Sequence, residues 1–117
     1  MVSTISSSLS ALSAFGKKMS VAANNIANVN TDGFKKSRAI LREGPYGGVE
    51  VTINRIDTPG LPTMEEGSVP ATATERSNVD LTEEIPQMMI AKRAYQANTQ
   101  TIKAHNEMVG SLIDIFR

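Results

Sequence analysis

The chain has 117 residues, enough for one domain, and balances 12 Lys and Arg against 12 Asp and Glu. That neutral balance lacks the basic excess of a nucleic-acid footprint, and the absence of Cys excludes a disulfide framework and a thiolate metal site. Three Phe, two Tyr and no Trp leave little large apolar material for a compact globule. An elongated chain whose apolar faces need partners fits this composition better.

The charge is distributed unevenly. Residues 1–42 carry six bases and one acid, residues 43–84 two bases and nine acids, and residues 85–117 four bases and two acids. Two readings follow: the ends attract the middle of a neighbouring subunit, or the three segments present solvated faces of differing sign.

Residues 2–29 carry a heptad pattern. One column is Val2, Leu9, Gly16 and Ala23; the other is Ile5, Leu12, Met19 and Ile26. Spacings alternate between three and four, as a coiled-coil seam requires. Small residues at Gly16 and Ala23 let a partner helix approach closely. Gly16 also costs about 1 kcal/mol of helix propensity relative to Ala, and the first turns are rich in Ser. This helix is expected to be weak alone and to form on packing.

Ala22-Ala23-Asn24-Asn25-Ile26-Ala27-Asn28-Val29-Asn30 closes that segment with four asparagines, a residue type that tolerates the left-handed region and satisfies loose backbone groups. Asn24 and Asn28, like Asn98 further on, are placed to hydrogen-bond across helices and fix register. Asn30-Thr31-Asp32-Gly33 reads as helix exit and turn, with Gly33 the residue for a positive φ and Phe34 following. Lys35, Lys36, Arg38 and Arg42 make a basic run without aromatic stacking partners. A solvated face or an intersubunit contact accounts for it better than a phosphate- or membrane-binding patch.

Glu43-Gly44-Pro45-Tyr46-Gly47-Gly48 is a loop, and Gly48 to Ile56 alternates as a strand, with Val49, Val51 and Ile53 on one face. Asp57-Thr58-Pro59-Gly60 is a turn, and Leu61 to Met64 returns as an edge strand because Pro62 cannot donate to a ladder. Glu65-Glu66-Gly67 turns again, and Ser68 to Arg76 is an extended connector. A sheet of two or three strands cannot stand alone and is expected to lean on a helix or on neighbouring subunits.

Residues 80–116 form the second long helix. Leu81, Met88, Tyr95, Ile102, Val109 and Phe116 recur every seven residues, and Leu112 stands between the last two. The companion column Ile85, Lys92, Thr99, Asn106 and Ile113 is mixed. Asp80 with Glu83 three residues later reads as a capping-box variant, and Pro86 is expected to bend the helix near 82–86. Glu83 and Glu84 suit the positive end of the helix dipole.

No constellation here carries chemistry. His105 is the one histidine, with no companion ligand at helical spacing, and the abundant Ser and Thr lack a base partner. The chain reads as no enzyme, with no cofactor or metal. The N-terminus lacks a basic leader and its serines interrupt any apolar core, so it is not a cleaved secretory signal; no stretch approaches a membrane span.

Ala23-Asn24-Asn25-Ile26-Ala27-Asn28 with Thr31-Asp32-Gly33-Phe34-Lys35 resembles the N-terminal signature of the bacterial flagellar axial proteins, the rod and hook subunits. Ser77-Asn78-Val79-Asp80-Leu81-Thr82-Glu83-Glu84 and Arg93-Ala94-Tyr95-Gln96-Ala97-Asn98 resemble the C-terminal helix signature of the same family. The matches cover roughly residues 1–36 and 75–117. The resemblance implies a mainly α chain: long N- and C-terminal helices (1–30 and 77–117) pair as an antiparallel coiled coil forming one unit, around a central loop and small β region (31–76). It implies a subunit of the flagellar basal-body rod that assembles with itself and other axial proteins. Export through the flagellar type III apparatus without a cleaved signal peptide, into the periplasm-spanning rod, comes with it. The two seams above and Asn24 and Asn28 would be the assembly interface, with Thr31, Gly33 and Phe34 as the motif turn. The chain is far shorter than a hook or typical distal rod subunit and is expected to lack a large inserted domain; a hook-type or adaptor protein, or a free helical hairpin gripping a partner helix, are the rival readings.

Overall fold

The computed structural model describes residues 2–44, 47–63 and 74–116, with the side chains of residues 2 and 3 excepted. Outside it lie Pro45 and Tyr46 of the expected loop, Met64 of the expected edge strand, the Glu65-Glu66-Gly67 turn and most of the connector before Thr74.

Helix α1 spans Val2–Ala27, strands β1 and β2 span Ser37–Glu43 and Val49–Arg55, strands β3 and β4 span Pro62–Thr63 and Thr74–Glu75, and helix α2 spans Leu81–Ile115. The fold is mainly helical, with a small antiparallel β part. α1 and α2 pack antiparallel, the C-terminal end of α1 against the N-terminal end of α2, where Asn25 meets Glu84. The β1–β2 hairpin lies along α1, so α1 is the central element, flanked by α2 and by both strands. The molecule measures 81 × 24 × 15 Å.

Strand β1 was not expected. Lys35 and Lys36 before it and Arg38 and Arg42 within it read as a charged run, and the adjacent Ile40 and Leu41 break the alternation that marks a strand. Pairing supplies what the local pattern lacks: Ser37 faces Arg55, Ala39 faces Ile53, Leu41 faces Val51 and Glu43 faces Val49. Ala39 is buried against α1 while Arg38 and Arg42 face out. Gly44 N–H donates to Gly48 O (2.7 Å) across the hairpin loop, where Gly47 takes φ 75°. β3 and β4 form a second, two-residue ladder.

Asp80 caps α2, its Oδ1 accepting from Thr82 N–H at 2.8 Å. Glu83 does not close a capping box: its carboxylate accepts instead from Lys36 Nζ and Arg38 Nη2, both at 3.1 Å. α2 runs on through Pro86, which forfeits one backbone hydrogen bond in the second turn without ending the helix.

Among the described residues the buried apolar side chains are five alanines, Ala11, Ala14, Ala22, Ala39 and Ala91, and the largest fully buried side chain is Asn25. Alanine seams bring the backbones close but bury little area. At about 25 cal/mol per Å², such a core contributes far less than one of Leu and Ile.

Candidate assembly surface

Three polar joints fix the hairpin and the linkers to the helices. At the first, Asn25, 1% exposed, donates from Nδ2 to Ser37 O (2.8 Å) and to Glu84 Oε2 (3.1 Å), and its Oδ1 accepts from Ser37 N–H (3.0 Å). One side chain thereby holds α1, β1 and α2. Glu84, 6% exposed, is a buried carboxylate with this amide as a partner.

Asn78 makes the second joint. Its Oδ1 accepts from Lys36 N–H (2.7 Å), and its Nδ2 donates to Ile56 O (2.8 Å) and Thr58 O (2.9 Å). Beside it Gly33, at φ 69°, donates its N–H to Glu75 O (2.7 Å). The Glu75 carboxylate pairs with Lys35 and accepts from Gly60 N–H (2.5 Å). The hydrogen bond from Lys35, then that from Gly60, holds Glu75 below the ordinary glutamate pKa of 4.5. Lys36, and more weakly Arg38, does the same to Glu83. The basic run and the acidic middle segment thus meet within one chain.

The third joint is at the hairpin tip. Ser10 Oγ accepts from Val49 N–H (3.1 Å) and donates to Ser7 O (2.8 Å), and Ser7 Oγ donates to Gly47 O (3.1 Å).

The large apolar side chains lie outside these joints. Leu9 is 61% exposed, and Ile85, Met89, Ile90, Met108, Leu112, Ile113, Ile115 and Phe116 are all exposed on α2. On α1 the burial line runs through Ser8, Ala11, Ala22 and Asn25, with Phe15 and Lys18 half-buried at the intervening heptad positions. This line sits one residue before the sequence columns, about 100° around the helix. Leu9, Ala23 and Asn24 are consequently exposed, and Ile5, Leu12, Gly16, Met19 and Ile26 half-buried; Val2's side chain lies outside the described residues. On α2, Met88, Ile102 and Val109 are half-buried, and Leu81, Tyr95 and Leu112, with Phe116 just past its end, are exposed. The second inner column there is Glu84, Ala91, Asn98 and His105.

Asn28 donates to Asn24 O (2.9 Å) and accepts from Thr31 Oγ1 (3.2 Å), finishing α1 locally. Asn98 bonds back to Ala94 O in its own helix (2.9 Å). Thr31 and Gly33 are exposed and Phe34 half-buried, its carbonyl accepting from Asn78 N–H (3.3 Å). The sequence reading passed over Asn25, Asn78, Glu84 and Ser10 as bonding residues. A polar residue in phase with small residues at heptad spacing is the signal that marks Asn25 and Glu84. Among the described residues no helix is long and apolar enough to cross a membrane, and no group of three His, Cys, Asp or Glu is placed to hold a metal ion.

The helical ends carry the likeness to known proteins. The family model described as flagella basal body rod protein matches residues 5–35, and that described as flagellar basal body rod FlgEFG protein C-terminal matches residues 71–115. The flagellar basal-body rod protein FlgG of Bacillus subtilis is 32% identical over 89 residues, 75% of this chain and 32% of that protein. The flagellar hook protein FlgE of Escherichia coli is 41% identical over 49 residues, 42% of this chain and 12% of that protein. Its counterpart in Salmonella typhimurium is 44% identical over 43 residues, 37% of this chain and 11% of that protein. The chain therefore spans a third or less of the length of these relatives; α2 lies within one family-model segment, and α1 from its fourth residue on lies within the other. With an axial-protein model at each end and both rod and hook relatives, the chain belongs to the flagellar rod and hook axial protein family.

Proposed function

We propose that this chain is a structural subunit of the flagellar basal-body rod, built into the drive shaft by helical self-assembly through its terminal helices. One observation carries the reading: the buried apolar core is alanine, while Leu9, Met89, Ile90, Met108, Leu112 and Phe116 are exposed on the helices. A fully buried Leu, Ile, Met or Phe contributes about 1.5–3 kcal/mol, so the subunit's apolar potential is realised between copies and not within one. Contacts of this kind are heterologous and do not close, which generates a shaft. The two terminal helices act as one unit, and residues 31–76 form the outer part. The partners are further copies and other rod and hook proteins. Delivery is through the flagellar type III export apparatus, the place of work is the periplasm-spanning rod, and the role is mechanical and not catalytic.

Mass spectrometry of basal bodies purified from the source bacterium tests this directly: the chain is expected at a stoichiometry comparable to the other rod proteins, and its absence would overturn the reading. Leu12→Asp is expected to abolish incorporation. A hook-type role is the second reading, favoured by the 41% identity to the E. coli hook protein. Basal bodies arrested before hook growth separate the two, since a rod subunit is present in them and a hook subunit is not.

A further inference from the structure

The chain holds a single Asp-Gly step, Asp32-Gly33, and no Asn-Gly step; every other Asp and Asn is followed by a residue with a side chain. That step has a chemistry of its own. The backbone nitrogen of Gly33 can attack Cγ of Asp32, because glycine has no Cβ to shield the approach. The new N–Cγ bond closes a five-membered succinimide. The carboxyl group, protonated, gives up its hydroxyl, which leaves with the amide proton as water. A second water then reopens the ring. Cleavage between Gly33 N and the main-chain carbonyl carbon of Asp32 leaves isoaspartate, with the backbone rerouted through Cγ; cleavage of the new bond restores aspartate. Water lost equals water regained, so mass is unchanged and no further reactant is needed.

The fold leaves the carboxyl group open and ties down the nitrogen. Asp32 is exposed, and its carboxylate has no hydrogen bond or ion pair among the described residues. Gly33 N–H donates to Glu75 O at 2.7 Å, and Phe34 N–H donates to Thr31 O at 3.2 Å to close the turn around the step. To attack, the nitrogen must release its proton and turn its face to Cγ, and the bond to Glu75 O opposes both. That acceptor is itself anchored. Arg76 N–H, next in sequence, donates to Leu61 O at 3.0 Å, and the Glu75 carboxylate is held by Lys35 and by Gly60 N–H. Attack therefore waits on local opening of the joint, whose free energy sets the fraction of chains that can react.

We infer that Asp32 is a site of spontaneous isoaspartate formation, which the joint between Gly33 and Glu75 keeps shut in the folded subunit. An unfolded chain carries the step open. Isoaspartate adds a methylene to the main chain between Asn25 and Ser37, which bond each other in the native fold, and displaces Gly33 N–H from Glu75 O, so refolding does not undo it. The inference is independent of the assembly reading.

The test incubates the full chain at neutral pH as the native protein, as Glu75→Ala, and as the native protein in concentrated urea. Glu83→Gln is the control, since it breaks the neighbouring pair with Lys36 and leaves Gly33 alone. Trypsin cuts after Lys18 and Lys35, and the peptide 19–35 carries the step. Isoaspartate reads there as a second chromatographic peak of unchanged mass that a protein-isoaspartate methyltransferase labels; deamidation of an asparagine in the same peptide changes the mass. The native chain and Glu83→Gln are expected to be slowest and equal, Glu75→Ala about tenfold faster, and the chain in urea fastest. Circular dichroism checks that Glu75→Ala is folded; if it is not, Lys35→Ala removes the same pair and takes its place. A native rate equal to that in urea, or an unchanged rate in the folded variant, would overturn the shield. Absence of the labelled peak even in urea would overturn the site itself.

Discussion

The two ends of the helical pair are built on opposite principles. Where α1 exits and α2 begins, Asn25 and Asn78 bond the backbone of Ser37, Lys36, Ile56 and Thr58, the Lys35–Glu75 and Lys36–Glu83 pairs join side chains beside them, and one buried amide reaches three elements. At the other end Met108, Leu112, Ile115 and Phe116 are uncovered. Polar groups are expensive to leave unpaired inside a protein, so the first end is finished within the subunit. Apolar groups gain from burial by any neighbour, so the second end is available to another copy.

The largest expected break in this contrast is Asn25→Ala. It strips two donors' worth of bonding from Ser37 O and Glu84 Oε2 and the acceptor of Ser37 N–H, leaving a buried carboxylate without its amide. The expected loss is about 3–5 kcal/mol, read from the urea midpoint below the polymerising concentration. A loss under about 1 kcal/mol would show that Ser37 and Glu84 find water there at little cost.

Next come two opposite exchanges of alanine and leucine, one at the packed end and one at the uncovered end. Ala91, wholly buried, cannot take a larger residue without displacing α1, and Ala91→Leu is expected to destabilise the subunit by about 1–3 kcal/mol. Leu112→Ala, on the uncovered end, is expected to shift the same midpoint by no more than about 0.5 kcal/mol while raising the concentration at which polymers appear. Equal effects of the two on the isolated subunit would mean that the uncovered end is already packed. Between those two falls Gly33→Ala: at φ 69° the methyl group strains the turn that offers its N–H to Glu75 O, an expected loss of about 1–2 kcal/mol in thermal unfolding.

The long helices, the hairpin's second strand and the Gly33 turn were legible because each has a local signature: seven-residue recurrence, alternation, and a glycine after an Asn-rich helix end. The phase of the α1 seam was not. The heptad line read from the sequence runs through Leu9, Leu12, Gly16, Met19, Ala23 and Ile26, whereas the chain buries its neighbours one residue earlier, Ser8, Ala11, Ala22 and Asn25. Small residues are chosen for how closely two backbones approach, which periodicity of hydrophobicity does not register. The second inner column of α2 was hidden the same way: it lies one residue before the expected Ile85–Lys92–Thr99–Asn106 column, and Glu84, Asn98 and His105 are polar. β1 was hidden because only its partner β2 and Asn25 make a strand of a charged segment. The joint at Asn78 sat inside a quoted motif, but its bonds run to Lys36, Ile56 and Thr58, far off in sequence.

The smallest effect tests how far the finished end depends on charge. Glu75 and Glu83 are held below the ordinary 4.5 by Lys35 and Lys36, and Asp80 below the ordinary 3.8 by the Thr82 N–H. Each binds its proton less readily folded than unfolded, so the unfolded chain takes up more protons in acid. Their contribution is in place above about pH 5 and is lost as pH falls through and below the ordinary values. Urea midpoints at pH 7 and at about pH 3.5 should therefore differ, and Glu83→Gln should narrow the difference by removing one such group. The pairs are partly exposed, so 1 M salt, which shortens the screening length to about 3 Å, should narrow it as well. A difference between the two pH values that survives both changes in full would place the acid sensitivity outside these charge pairs.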